Sequence, residues 1–140
     1  MPLPLFVYGT LKEGFCNFEF NEGNRIAGEY ETIGEYCLHV LGELSLPWLF
    51  ASPGHDMPVI GQLFEVSDDL LTKLDRFERV GEPGWLNRRI IQVRNIAPGE
   101  PTTRSAFVYI GEQNAHETKT VHLGPIPEYT LEMDAKYGDA

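Results

Sequence analysis

Short apolar segments alternate with turn residues along most of the 140-residue chain. Apolar and polar residues that alternate position by position are typical of strands with one face in the core. Fourteen glycines and ten prolines add many turn signals, which favour a β-rich fold with short strands. The pattern predicts strands, the first of them short and buried, over residues 4–8, 27–40, 59–66, 87–96 and 104–111.

One long segment interrupts this pattern between two predicted strands. Residues 41–58 contain three prolines and two glycines, and we expect a loop there with Trp48 as its aromatic anchor. Gly61 lies inside the strand that follows. A glycine within a strand marks a bulge or a close approach of another backbone, so we expect one of these at Gly61.

Residues 67–80 form the one segment with clear helical periodicity. Ser67 is a natural N-cap, and two aspartates follow it in the first turn, where the helix dipole favours negative charge. The apolar positions follow helical spacing and predict one buried stripe. They are Leu70, Leu71, Leu74 and Phe77.

Charge and composition narrow the class of protein. The formal net charge of −10 argues against nucleic acid or an anionic membrane surface as the main partner. No apolar run approaches the roughly 18–20 residues that span a bilayer, and the first residues lack the features of a secretion signal. We therefore expect a cytoplasmic protein. Cys16 and Cys37 are the only cysteines, and free thiols are expected at both.

The order of these elements predicts the fold class. Several short strands and one main helix indicate an α+β domain, a small mixed β-barrel or curved sheet with the helix packed across it. No repeat or change in composition divides the chain, so we expect a single domain over residues 1–140. The tail from about residue 112 shows no strong periodicity, and no element is predicted in it.

The first predicted strand ends in Tyr8, Gly9, Thr10 and Leu11. A glycine directly after a buried strand permits positive φ or lets another group approach the backbone closely. Successive N–H groups in such a turn are able to cradle a carboxylate or carbonyl oxygen. The alternative is a tight turn that only ends an edge strand, and local pattern alone leaves both open.

Glu78 follows the apolar stripe of the helix, within its last predicted turn. The negative end of the helix dipole disfavours an ionised carboxylate there, and burial adds to this effect. Both raise the pKa of the carboxyl towards the range that a general base needs. The alternative is a structural ion pair with Arg79 or with Arg88 or Arg89 of the next strand.

Four motifs together resemble the γ-glutamylcyclotransferase superfamily, most of all its γ-glutamylaminecyclotransferase branch. They are FVYGTLKEG at the start, LPWL in the middle, LDRFE at the helix end and AFVYI late in the chain. The resemblance covers roughly residues 4–110. It implies a small β-barrel with flanking short helices and no need of a metal or organic cofactor. A monomer is expected separately, because the sequence shows no apolar helix stripe beyond the one that the core requires.

The resemblance also implies an activity. Family members cleave a small γ-glutamyl amide or amine by attack of the substrate's own α-amine, which releases 5-oxoproline and a free amine. The family's catalytic glutamate corresponds to Glu78, and its substrate-holding loop corresponds to the turn from Tyr8 to Leu11. Tyr109 of AFVYI is expected either at the barrel mouth against the substrate or in the core. Trp85 or Leu86 is expected to form one wall of the pocket.

A second class of function remains open. A non-catalytic module on the same barrel would use the pocket to bind a small metabolite. A carboxylate at position 78 favours the enzyme, because a sensor has no need of a base there. The leaving amine is not readable from these residues, and glutathione, γ-glutamyl amino acids and γ-glutamyl-lysine all remain candidates.

Overall fold

The computed structural model describes residues 3–42, 45–55, 57–96, 102–111 and 119–137. Within these ranges the chain forms eight strands and two α-helices. In chain order they are β1 (Leu5–Val7), β2 (Asn24–Ile33), β3 (Tyr36–Leu41), β4 (Leu46–Ala51), β5 (Ile60–Glu65), α1 (Asp68–Phe77), β6 (Asn87–Asn95), β7 (Thr103–Ile110), β8 (Val121–Leu123) and α2 (Leu131–Asp134).

Five of the strands close into a barrel in the order β1-β5-β2-β6-β7. Neighbours pair antiparallel except at the closure, where β1 runs parallel to β7 and Leu5 lies opposite Phe107. A separate sheet has the order β4-β3-β8. The structure therefore confirms the predicted α+β class and the small mixed barrel with one main helix.

The helix α1 forms as its sequence predicts. The N–H of Leu70 donates to the hydroxyl oxygen of Ser67 at 3.1 Å, which confirms the N-cap. Leu70, Leu71 and Leu74 are buried, and Phe77 packs against the same apolar cluster. The helix ends at Phe77, three residues before the predicted end at Val80. This early end makes Glu78 its C-cap residue.

The loop predicted over 41–58 is wrong for its middle part, because residues 46–51 form β4. The prolines and glycines of this segment led to that prediction, and one of them, Pro47, lies within β4 although a proline cannot donate to a strand ladder. Here β4 lies at the edge of its sheet, where a missing N–H is tolerated. Trp48 is 1% exposed, so its predicted role as a buried anchor is confirmed.

Another backbone lies close to Gly61, as predicted. A Cβ atom at this position would overlap the carbonyl oxygen of Val7 on the neighbouring strand β1. On its other side, the register of β2 against β5 shifts between Ile26 and Tyr30. A side chain at position 61 would therefore push two barrel strands apart.

The described part of the tail, residues 119–137, is tied to the turn after β1. The ammonium of Lys12 donates to the carbonyl oxygen of Tyr129 at 2.6 Å, and the N–H of Cys16 donates to the carboxylate of Asp134 at 2.8 Å. Tyr129 is fully buried. The short elements β8 and α2 in this segment were not predicted, and its remaining residues, 112–118 and 138–140, lie outside the described ranges.

Candidate active site

A cavity of about 360 Å³ opens between the turn after β1, the start of β4, the C-terminal end of α1 and the far end of the chain. All six residues proposed from the sequence line it, although they come from three separate parts of the chain. These residues are Tyr8, Gly9, Thr10, Leu11, Glu78 and Tyr109. Trp85 and Leu86 both line the cavity as well, so the wall expected from one of them contains both.

In the turn of residues 9–11 the backbone carbonyl oxygens are hydrogen-bonded and the backbone N–H groups are not, within the described part of the chain. Its three carbonyl oxygens accept hydrogen bonds from the N–H of Lys12, the N–H of Asn17 and the side-chain amide of Asn21. Its three N–H groups have no acceptor within the described part of the chain. Because these residues line the cavity, the free donors are available to an oxyanion or a carboxylate of a ligand.

Gly9 is needed for space and not for its backbone angles. Its φ lies outside the left-handed region, so the positive φ considered from the sequence is not found. A Cβ atom on Gly9 would lie 2.6 Å from Cγ of Pro47, which is the close approach predicted as the other possibility. The proline of β4 thus packs directly against the turn and fixes its position.

Glu78 projects from the end of α1 into the same cavity. Its N–H closes the helix on the carbonyl of Leu74 at 2.8 Å, which holds the backbone in place. Its residue surface is only partly exposed, and burial raises the pKa of its carboxyl from an ordinary value of 4.5 to about 7. Within the described residues this carboxyl has no ion pair. A carboxyl in this state exchanges protons readily at neutral pH.

The interpretation of Glu78 as an ion-pair partner of Arg88 is wrong. The guanidinium of Arg88 lies 3.3 Å from the carboxylate of Asp75, one helical turn before Glu78. Arg89 is exposed, as expected for one residue of this pair. Asp75 and Glu78 are both near the C-terminal end of α1, and Arg88 of β6 pairs with Asp75.

Tyr109 joins the ion pair to the cavity wall. Its hydroxyl donates to Asp75 at 2.8 Å, and its carbonyl oxygen accepts from the hydroxyl of Tyr8 at 2.6 Å. The Tyr8 hydroxyl in turn accepts from the N–H of Leu49 at 3.4 Å. Tyr8 therefore uses its hydroxyl to connect strands. The hydroxyl of Tyr109 uses its one proton in the hydrogen bond to Asp75, so towards a ligand it has only acceptor capacity.

Other cavity residues were not identified from the sequence, among them Arg79, Tyr137 and Pro47. Arg79 follows Glu78 directly, and its guanidinium lies 4.4 Å from the ring centroid of Trp85. Tyr137 reaches the cavity from the tail, and Pro47 reaches it from the unpredicted strand β4. A cation beside the candidate base was a usable signal for Arg79, whereas no local pattern marks Tyr137.

The described residues offer neither a metal site nor a membrane-spanning helix. No group of three or more histidine, cysteine, aspartate or glutamate side chains is placed to hold a metal ion. In the same residues, no helix is long and apolar enough to cross a membrane.

Comparison with protein families identifies the class of protein to which this barrel and cavity belong. The family described as gamma-glutamyl cyclotransferase, AIG2-like, matches residues 5–128. The chain belongs to this family.

Individual relatives carry more specific names. Gamma-glutamylaminecyclotransferase of Bos taurus is 39% identical over an alignment of 140 residues, gaps included. The alignment covers 96% of this chain and 79% of the bovine protein. The Rattus norvegicus protein of the same name is 35% identical and covers 75% of each chain. Gamma-glutamylaminecyclotransferase B of Danio rerio is 36% identical over 78% of this chain, which spans 59% of the fish protein's length.

Solved structures support the same fold. A crystal structure of an AIG2-like protein from Mus musculus superposes with a TM-score of 0.65 at 33% sequence identity and covers 77% of this chain and 76% of that one. YkqA from Bacillus subtilis gives a TM-score of 0.60 at 21% identity and covers 79% of this chain and 36% of that one. The second likeness concerns the fold alone.

Proposed function

We propose that the protein is a cyclotransferase that acts on a small γ-glutamyl amine or amide and needs no cofactor. The observation that carries the proposal is the shared cavity of Glu78 and the turn of residues 9–11. Glu78 supplies a carboxyl whose pKa burial raises to about 7, and the turn supplies N–H groups that have no acceptor among the described residues.

The reaction begins with proton transfer. The substrate's α-amine is mostly ammonium at neutral pH, and the carboxylate of Glu78 takes one proton from it. The free amine then attacks the γ-carbonyl carbon, and a C–N bond forms within the substrate. The carbonyl oxygen becomes an oxyanion, which the N–H groups of the 9–11 turn stabilise.

The second half reverses the direction of the proton. Protonated Glu78 delivers its proton to the departing nitrogen, the tetrahedral intermediate collapses, and the original amide C–N bond breaks. The new ring nitrogen still carries one extra proton, which passes to the departing amine or to solvent. The products are 5-oxoproline and a free amine. Glu78 ends ionised, ready for another cycle. A carboxyl with a pKa near the working pH suits both steps, because it gains and loses a proton at similar cost.

The names of the relatives direct the proposal to the γ-glutamylamine branch. Proteins named gamma-glutamylaminecyclotransferase are 33–39% identical to this chain in the rat, mouse, human and bovine cases. We further propose that the protein works as a single-domain monomer in the cytoplasm.

The test is direct detection of 5-oxoproline. The protein is incubated with a panel of γ-glutamyl amines and γ-glutamyl amino acids, and each reaction is followed by chromatography. We expect turnover of at least one substrate and a loss of at least about 10²-fold in Glu78→Gln, the order that general acid–base catalysis contributes. Glu82→Gln, at an exposed position four residues later, is the matched control and should retain full activity.

The same panel separates the enzyme from the metabolite-binding module. Binding of γ-glutamyl compounds without any 5-oxoproline would favour the module and contradict the proposed chemistry. Isothermal titration calorimetry with the same compounds supplies that binding measurement.

A further inference from the structure

The last described part of the chain, residues 129–137, brings one side chain into the cavity. Tyr137 is the one described lining residue that comes after β7, and all the others lie between positions 6 and 109. Its side chain is partly buried. Neither the proton transfer by Glu78 nor the binding of the oxyanion requires a tyrosine from the tail, so Tyr137 needs a reason of its own.

Backbone contacts hold residues 129–137 against the turn after β1. The ammonium of Lys12 donates to the carbonyl oxygen of Tyr129 at 2.6 Å, and Tyr129 is fully buried. Further along, the carboxylate of Asp134 accepts from the N–H of Cys16 at 2.8 Å. The N–H of Tyr137 donates to the carbonyl oxygen of Asp134 at 3.0 Å. The position of Tyr137 therefore depends on these tail contacts and not on the barrel strands.

Asn17 connects the side chain of Tyr137 to the turn of residues 9–11. The Asn17 amide donates to the hydroxyl oxygen of Thr10 at 3.0 Å, and its N–H donates to the carbonyl oxygen of Thr10 at 3.0 Å. Burial is the largest cause that acts on the pKa of the Tyr137 hydroxyl and raises it, and a hydrogen bond from the same Asn17 side chain acts in the opposite direction. The tyrosine ring is thus held at the cavity by contacts at both its backbone and its hydroxyl.

Three tyrosines and one arginine are the titratable groups that line the described cavity together with Glu78. They are Tyr8 directly after β1, Tyr109 on β7, Tyr137 on the tail and Arg79 directly after Glu78. Burial is the largest cause that raises the pKa of each phenol, and the carboxylate of Glu78 is among the further causes. All three phenols therefore lie near this carboxylate and stay neutral in the pH range in which it titrates.

The charged side chains nearby do not account for the proton affinity of Glu78. Arg88 lies 3.3 Å from the carboxylate of Asp75, and the guanidinium of Arg79 stacks on Trp85 with 4.4 Å to the ring centroid. Burial is the cause that raises the pKa of the Glu78 carboxyl to about 7. The cavity walls that keep water from this carboxyl therefore determine how strongly it holds a proton.

We propose that Tyr137 is a positioning residue of the active site, whose ring closes the cavity beside Glu78 and keeps water from its carboxyl. The other two phenols, Tyr8 and Tyr109, belong to the barrel and are in place without the tail. The carboxyl then becomes a base suited to neutral pH only when residues 129–137 lie against the turn after β1. This inference rests on the proposed function and adds to it a residue that acts through Glu78.

The test follows kcat/KM against pH with a γ-glutamyl substrate that the wild-type protein turns over. For the wild-type protein the rising limb should level off above about 7, where Glu78 ionises. In Tyr137→Ala water reaches the carboxyl, so the limb should level off about one pH unit lower or more. Tyr137→Phe keeps the ring and should keep the limb within about 0.3 pH unit of the wild-type position. Lys136→Ala is the matched control, at an exposed neighbour outside the cavity, and should leave the profile unchanged.

The position of the limb separates this role from a merely structural one. A Tyr137→Ala variant that loses the same factor in kcat/KM at every pH, with the limb unmoved, would overturn the inference. A Tyr137→Phe variant that shifts as far as Tyr137→Ala would overturn it as well, because the hydroxyl and not the ring would then be responsible. Circular dichroism verifies each fold. If the alanine variant does not fold, Tyr137→Gln, which keeps more of the side-chain volume, carries the same prediction.

Failure of the proposed function is distinguishable from failure of this inference. An NMR titration of protein with carbon-13 in its glutamate side chains measures the pKa of Glu78 without substrate, and Glu78→Gln identifies its signal. If no substrate gives 5-oxoproline, a Glu78 pKa of about 7 in the wild-type protein that moves towards 4.5 in Tyr137→Ala would still support the role of Tyr137. The same pKa in both proteins, or an ordinary pKa in the wild-type protein, would contradict it.

Discussion

The partly buried carboxyl of Glu78 should destabilise the folded protein at neutral and alkaline pH. Burial raises its pKa from 4.5 to about 7, so the folded protein holds a proton that the unfolded chain has already released between these values. Stability contributed by this group is complete below about pH 4.5 and is lost as the pH rises through about 7. At about 1.4 kcal/mol per pH unit, the loss reaches about 3 kcal/mol.

Replacement by glutamine removes this loss. Glu78→Gln cannot ionise and has nearly the same shape, so the variant should be more stable than the wild-type protein at about pH 8. Its advantage should grow by about 2–3 kcal/mol between about pH 5 and pH 8, because the wild-type carboxyl is still protonated at the lower value. A more stable but inactive variant is the pattern expected when a residue is kept for chemistry.

Urea denaturation followed by tryptophan fluorescence measures both free energies of unfolding. The experiment is run at several pH values on the wild-type protein, on Glu78→Gln and on the exposed control Glu82→Gln, whose stability should follow that of the wild-type protein throughout. The ion-pair interpretation predicts the reverse, since removal of one partner of a buried pair costs roughly 3–5 kcal/mol. A Glu78→Gln variant that is less stable at about pH 8 would refute the reasoning.

Two further predictions concern the walls of the cavity. In Gly9→Val the new Cβ would lie 2.6 Å from Pro47, so we expect the turn to be displaced. Calorimetry should then detect no binding of γ-glutamyl ligands. Normal binding and turnover would mean that the turn does not hold the ligand. Tyr109→Phe removes the hydrogen bond to Asp75, so the free energy of unfolding should fall by about 1 kcal/mol. It also removes an acceptor for the substrate's ammonium, so kcat/KM should fall about tenfold. An unchanged kcat/KM would mean that Tyr109 serves only the core.

The parts of the fold with local signals were predictable from the sequence. Ser67 and the leucine stripe define α1 because capping and helical periodicity act within a few residues. Gly61 marks a close approach because only the absence of a side chain permits it. Glu78 and the turn after β1 were selected as site residues only through the family resemblance, because a glycine after a strand and a glutamate at a helix end each have an ordinary structural explanation as well.

Other features depend on distant contacts and carry no local signal. The strand β4 contains Pro47, and only its position at a sheet edge makes that proline acceptable. The sequence offers Arg88 both Asp75 of α1 and Glu78 directly after it, and packing decides its pairing with Asp75. Tyr137 joins the cavity because Lys12 and Cys16 tie the tail to the first turn, a long-range arrangement that periodicity does not reveal.

The pH dependence of kcat/KM tests most directly that Glu78 is the general base of 5-oxoproline formation. For the wild-type protein, kcat/KM should rise about tenfold per pH unit at low pH and level off above about 7, where the carboxyl ionises. In Glu78→Gln the rate should be at least about 10²-fold lower and this rising limb should be absent. A Glu78→Gln variant with the same limb and a near-normal rate would contradict the assignment of the base.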